Sequence, residues 1–516
     1  MARSRNAPGS TAQIMIPPPV GGVNLATAID KLQPIEAAHL RGFEFDEYGI
    51  IGAPRAPKNL GVCVAGATIL SAHIFYRDSG PTQLIAHFSD GSVRYSTDFL
   101  TTTGSATWTS IATGLSTTAP FTFITFLNAV WMSNGVNDFR KWDGAATTTY
   151  ATAPKGKYLA LWRDTLWQSG DPANPHRVYQ CAAGDPAVWP GLNFVDIEKG
   201  VGIGITALFS VESALVCFKL HKTHIIFDPI EYTNRVIDSG KGCLSNASIV
   251  SHQGTIFFAS HPGICRFLGD GPSQLVSEKI SPLFNDLFLH NTDLATFATE
   301  WAEENTIWGY SFENFAGWYL PSNAYSQYLK YFPDLPDQPW VFGAPMDPPT
   351  LQGRACLLSV RDPLRYQQLY RISGSPAVLY REYGDTLAAT VACEWRSSWF
   401  DFDSPIMEKY VSRLDIMHRG DITVILNRDY RDEEEGGEDS ETVAAALSAP
   451  LAKLSNSIVY TDTYCRQLQV VVQSSIAEEN KQRIASGLAS PANITRFQSS
   501  IASVTVSARG LSDMRV

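Results

Sequence analysis

Seven carboxylates crowd residues 431–441, RDEEEGGEDSE: Asp432, Glu433, Glu434, Glu435, Glu438, Asp439 and Glu441. A run of like charge repels itself into solvent, so its plain reading is a solvated loop tip. Set once per subunit around a ring, the same loop would form a negative collar that repels phosphate. His221 and His224, in HKTH, have the residue types of a metal pair. On a strand they fall on opposite faces, which predicts surface or turn histidines and no metal site. Gly200, Gly202 and Gly204 in GVGIGIT miss the spacing of a dinucleotide loop, and no helix follows; they predict a strand entering a sheet. Asn246-Ala-Ser248 has the spacing of a glycosylation sequon without a secretory context. No two carboxylates are marked out for acid and base work. The sequence therefore assigns no catalytic residue, no cofactor and no metal, and the chain is read as a non-enzyme.

The elements that hold these residues come from an ordinary globular composition. The chain has 516 residues, 44% hydrophobic and 18% charged, with 26 Phe, 20 Tyr and 12 Trp. That length predicts two or three domains, each with its own core. A net charge of -11 argues against broad contact with DNA phosphates, which needs a basic face, but is compatible with a wall that DNA slides past. The eight cysteines are scattered without a CxxC, which predicts buried free thiols in a reducing compartment. No run approaches the ~18 uncharged apolar residues of a membrane span. The start, MARSRNAPGSTAQIMIPPPVGG, has basic residues but no apolar stretch after them, so an extended arm is expected rather than a signal peptide, in a chain made in a cytoplasm.

Residues 1–55 read as that N-terminal arm, with one short amphipathic helical turn at Leu32, Ala37, Ala38 and Leu40, limited by Pro34. Residues 56–385 keep returning to one figure: an apolar strand, a polar turn, and a second strand closing on a basic residue. In FLNAVWMSNGVNDFRKWDG the turns fall at Asn134-Gly135 and Asp143-Gly144. Successive closing residues, Arg94, Arg140, Arg177, Lys222 and Arg266, are 46, 37, 45 and 44 positions apart, and Arg381 follows after 115. A period in that range is the mark of propeller blades. The fold class is all-β: a β-propeller of about six or seven blades, with a Pro-rich irregular insertion near 321–350. Its rivals are a β-sandwich pair or a long meander. Residues 386–516 read as a separate C-terminal β-domain carrying the acidic loop, with TVAAALSAPLAKLSNS weakly helical or extended. Sialidase-type propellers repeat a Ser-x-Asp-x-Gly-x-x-Trp box beside an arginine cluster, and SDGSVRYS and GDPAVW only graze that pattern.

The stretch 200–284 resembles the tail nozzle, or packaged-DNA stabilisation, proteins of short-tailed phages. The likeness is carried by Gly240-Lys-Gly-Cys243, Ser260-His-Pro-Gly263 and Glu278-Lys-Ile280, with further recurrent pieces at 174–189 and in LQPIEAAHLRGFEFDEYGI. It covers 32–284, and the C-terminal β-domain loosely; the insertion at 333–349 and the acidic loop have no counterpart. These motifs are turns and strands, so they speak of lineage and shape. The resemblance implies a structural virion protein: a homohexameric ring of six copies that extends the tail tube below the portal and the head-to-tail adaptor. It would close the channel over packaged double-stranded DNA until ejection, without sequence-specific binding. The candidate channel lining is the acidic loop, and a tail fibre or needle is a further partner. The alternatives are a receptor-binding or glycan-cleaving propeller of a phage tail, or a tail-tip protein of a long-tailed phage.

Overall fold

The computed structural model describes residues 11–45, 51–54, 56–102, 104–269, 271–284, 307–320, 327–343, 355–361, 367–383, 393–400, 408–428, 447, 455–465, 467–474 and 497–510. They fall into two compact units. One comprises Asn59–Gln327 and Pro348–Glu382; the other comprises Met1–Lys58, Tyr328–Asp347 and Tyr383–Val516.

The first unit is a β-propeller. Four-stranded antiparallel blades occupy 69–112, 122–150, 158–196, 207–238 and 250–275, each with its strands in chain order. A sixth position holds the hairpin Trp308–Phe312 and Phe315–Leu320. The seventh blade takes Ala355–Arg361, Gln367–Ser373 and Ala377–Arg381, and its outer strand is Lys58–Val64, from before the first blade. The early strand thus ties the ends of the ring together, and closure leaves only short blade edges exposed. A shared core seals the joint: Leu60, Ile69, Leu84 and Phe88 pack with Tyr370, Ile372 and Leu379, and Phe99 meets Tyr370 edge to face.

The second blade shows why these residues fold this way. Its first hairpin turns at Leu127 and Asn128, both at positive φ, 53° and 50°, so that Phe126 faces Ala129. The same two-residue turn recurs at Arg163-Asp164 and Gln253-Gly254. Positive φ at both turn positions matches the twist of the flanking strands. The sequence reading runs through Leu127 as strand because a leucine rarely occupies that region. Asn134-Gly135 begins the next loop, where the Asn134 side-chain oxygen accepts hydrogen bonds from the amides of Val136 and Asn137 at 3.1 and 2.8 Å. The closing residues Arg94, Arg140, Arg177, Arg266 and Arg381 all lie on third strands, and Lys222 directly precedes one. The repeated figure is therefore the second and third strands of each blade.

In the second unit distant segments alternate within sheets. One sheet runs Ser455–Cys465, Lys409–Arg419, Phe497–Gly510, Ile51–Pro54, Glu44–Phe45, with Thr11–Ile16 also paired to Phe497–Gly510. Another runs Gln327–Tyr331, Trp340–Phe342, His39–Arg41, Cys393–Arg396, Leu468–Ser474, Ile422–Arg428. Three expectations change here. The N-terminal stretch, expected as an extended arm laid against another domain or subunit, is built from Thr11 onward into sheets with distant segments of its own chain. The short helical turn sits at Ile29–Lys31, ahead of Pro34, while Glu36–Ala37 and His39–Arg41 are strands. The insertion is not wholly irregular: Gln327–Tyr331 and Trp340–Phe342 form a hairpin, with Tyr331 stacked on Trp340 at 4.6 Å. Gly22 is obligatory beside it, with φ +71° and Trp340 backbone atoms where a Cβ would stand. The three segments meet at Glu44, which is buried; Lys330 pairs with its carboxylate and the Tyr383 hydroxyl donates to it at 2.6 Å. All eight cysteines are buried and none is disulfide-bonded.

Candidate functional site on the loop face of blades three to five

In an antiparallel blade the loop between the second and third strands emerges on the same face as the connection to the next blade. On that face the 198–204 connection lies beside the fourth blade's 219–222 turn. Lys219, buried, donates from Nζ to the carbonyls of Glu198 (3.2 Å) and Val201 (3.0 Å), with the Glu198 carboxylate 3.6 Å away. Lys222 reaches the other carboxylate oxygen at 2.8 Å, and His224 Nε2 lies 3.6 Å from Oε2. The hydrogen bond from Lys222 holds the Glu198 carboxyl below its ordinary pKa. Burial pushes the His224 imidazole down, and the Lys219 ammonium too.

This arrangement is a clamp. It holds the backbone of a loop in which Gly200 and Gly202 adopt positive φ, 77° and 65°, and whose tip exposes Val201 and Ile203 by 56% and 53%. Both ring nitrogens of His224 are buried there without a hydrogen-bond partner, beneath the apolar tip of the loop. Beside the clamp, Arg177 forks onto Asp196 at 2.8 and 3.1 Å and stacks over Phe194 at 3.6 Å. Of the closing cations, Arg94, Arg177 and Lys222 are each paired with a carboxylate.

His221 lies in the turn, with its ring 5.7 Å from that of His261 in the next blade, whereas His224 is a buried strand residue rather than a surface one. Among the described residues no group of three or more His, Cys, Asp or Glu is placed to hold a metal ion. GVGIGIT is chiefly a loop, leading through Ile205 and Thr206 into the strand Ala207–Ser210. The Asn246 side chain accepts from the Leu208 amide at 3.0 Å and so joins blades four and five. Asp432, Glu433, Glu434, Glu435, Glu438, Asp439 and Glu441 lie outside the described residues. Glu198 and Lys219 were not singled out by sequence reasoning; the one available signal is a lysine directly after the apolar run LVCF.

No family profile and no curated protein matches the chain. Similar solved structures include the WD40 β-propeller domain of Doa1, at 7% identity and TM-score 0.39, covering 63% of this chain and 96% of that one. YCF48 is similar at 13% identity and TM-score 0.38, over 67% and 100%. The computationally designed Ika8 protein is similar at 10% and 0.38, over 63% and 99%. Likeness at this level carries nothing about function. The chain is an all-β protein with a propeller and a second β unit.

Proposed function

We propose that the chain is a structural virion protein, the tail nozzle of a short-tailed phage. Six copies form a ring that prolongs the DNA channel below the head-to-tail adaptor and retains packaged DNA until genome ejection. The observation that carries this reading is the resemblance of 200–284, with Gly240-Lys-Gly-Cys243 and Ser260-His-Pro-Gly263 in their places. Those motifs occupy the connection between blades four and five and the turn inside blade five. A closed propeller supports the reading because it is a stiff body with little free edge, and the charge of -11 because it favours passage of DNA over adhesion. The 198–204 loop, clamped with its apolar tip outward, is a docking element for adaptor, fibre or needle. The acidic run at 432–441 lines the channel.

Phage particles assembled without this chain provide the test. The nozzle reading predicts heads that fill with DNA and then lose it. Particles that keep their DNA and fail only to attach to cells would move the protein to the receptor-binding alternative. Within intact particles, replacing Glu433, Glu434 and Glu435 together by Lys is expected to slow ejection with assembly unchanged; unaltered ejection kinetics would put that loop outside the channel.

A further inference from the structure

We propose that the propeller face opposite the Glu198 clamp docks a second protein, through a segment that is apolar at its centre and basic at its flanks. The loops joining first to second and third to fourth strands open on that face. In blades three and four they are residues 163–164, 181–193, 211–214 and 227–233. Four large apolar side chains stand out from the two longer loops: Leu192 is 87% exposed, Ile230 83%, Val188 49% and Phe227 43%. Single exposed hydrophobic residues are ordinary, but a group of them on neighbouring loops marks a contact surface.

The two loops are tied to each other and to the blades. The Gln180 amide donates to the Asn193 carbonyl at 2.9 Å, beside Leu192, and the Gln180 side-chain oxygen accepts from the Tyr232 hydroxyl at 2.7 Å, close after Ile230. The Asp228 carboxylate accepts from the amides of Ile230 and Glu231 at 2.8 and 3.1 Å. Asp185 does the same for Ala187 at 3.0 Å, just before Val188, and Trp189 meets Phe139 of the second blade edge to face at 5.5 Å. The apolar tips are held outward by a fixed backbone instead of folding back onto the blades. Docking on loops ordered in advance costs little further entropy.

Charge selects the partner. The four loops carry Asp164, Asp185, Glu212, Asp228 and Glu231 against Arg163, five negative and one positive, a net of -4. Among the described residues none of the five carboxylates is ion-paired, and the Arg163 guanidinium lies over the Trp162 ring at 4.9 Å. A surface of that sign repels phosphate, which disfavours nucleic acid and anionic lipid, and attracts Lys and Arg. The opposite face of the same blades in a second copy would not supply them. There Lys199, Lys219 and Lys222 are engaged with Asp196 or Glu198, and Lys241 donates to the Ser273 carbonyl at 2.8 Å. The occupant is a different protein, whose apolar residues cover the four tips while its basic flanks meet the carboxylates.

This contact rests on the propeller alone and stands apart from the virion reading, which sets docking on the other face. Its test titrates the purified full-length protein into a fluorescein-labelled peptide with a leucine-rich centre and lysine flanks. Binding is expected, weaker as salt rises, with none for matched peptides that have a serine centre or glutamate flanks. Leu192→Ser with Ile230→Ser removes two apolar anchors and should weaken binding about tenfold. Glu212→Lys with Glu231→Lys, each adding two charges, takes the loops from -4 to 0 and should weaken it by a similar factor. All four side chains are exposed, so both variants should keep the parent's circular dichroism spectrum and melting temperature. Unchanged affinity in either variant would put the peptide elsewhere and overturn the proposal. Equal binding of the serine-centred peptide would overturn it too, since charge alone would then be at work. A native mass that falls in the Leu192→Ser, Ile230→Ser variant would make the occupant a second copy, and this also contradicts the proposal.

Discussion

The two units reach the same kind of structure by different routes. In the propeller nearly every strand bonds to the next one in the chain, and the long-range contribution is the strand Lys58–Val64 that finishes the seventh blade. In the second unit neighbours in a sheet come from the two ends of the chain: Gln13 donates to Ser507 across 494 positions. Local pairing closes short loops at little entropic cost, and distant pairing waits for the whole chain. Their polar cores differ accordingly. The Glu198 clamp joins residues at most 26 positions apart, whereas Glu44 gathers Lys330 and Tyr383 from separate segments.

Breaking the distant cluster has the largest expected effect. Glu44→Ala removes the buried carboxylate that Lys330 and Tyr383 share and is expected to cost about 3–5 kcal/mol. Hydrogen exchange should quicken across Lys409–Arg419 and Phe497–Gly510 while the blades 122–150 and 158–196 keep their protection. Uniform loss of protection in both units would erase the comparison. Acid is next. His73 of the first blade bonds Thr125 of the second at 2.8 Å, and burial pushes its pKa down to about 4 from 6.5. A depressed folded value means that stability is complete above pH 6.5 and is lost as pH falls toward 4, by roughly 2–3 kcal/mol. Urea midpoints followed by tryptophan fluorescence should show this slope, and His73→Gln should flatten it.

The local clamp ranks third. In Glu198→Ala, Lys219 keeps its two carbonyl acceptors, so a loss of about 2 kcal/mol is expected, smaller than for Glu44→Ala. Its urea midpoint checks this, and an equal or larger loss would mean that the carbonyls do little for Lys219. The smallest effect has the opposite sign. Leu127→Asn puts a residue that tolerates positive φ into the tight turn and should raise stability by about 1 kcal/mol, seen as a higher melting temperature.

The same difference decides what the sequence discloses. Blade period was legible because the basic residues of third strands recur locally, and the all-β class followed from it. The turn at Leu127-Asn128 was hidden by a residue type that argues against its own backbone conformation. Thr11–Ile16 and His39–Arg41 resisted reading because they pair with strands hundreds of positions away, where no periodicity reports them. At the candidate site, His224 and the glycines of 200–204 drew notice through residue type. Glu198 and Lys219 did not, since only the meeting of two blades makes one the partner of the other.

The most direct test of the tail-nozzle assignment is immunogold electron microscopy of particles from the source lysate, with antibody raised against this protein. Gold at a single short-tail vertex is predicted; gold at fibre tips, or particles without gold, would contradict it.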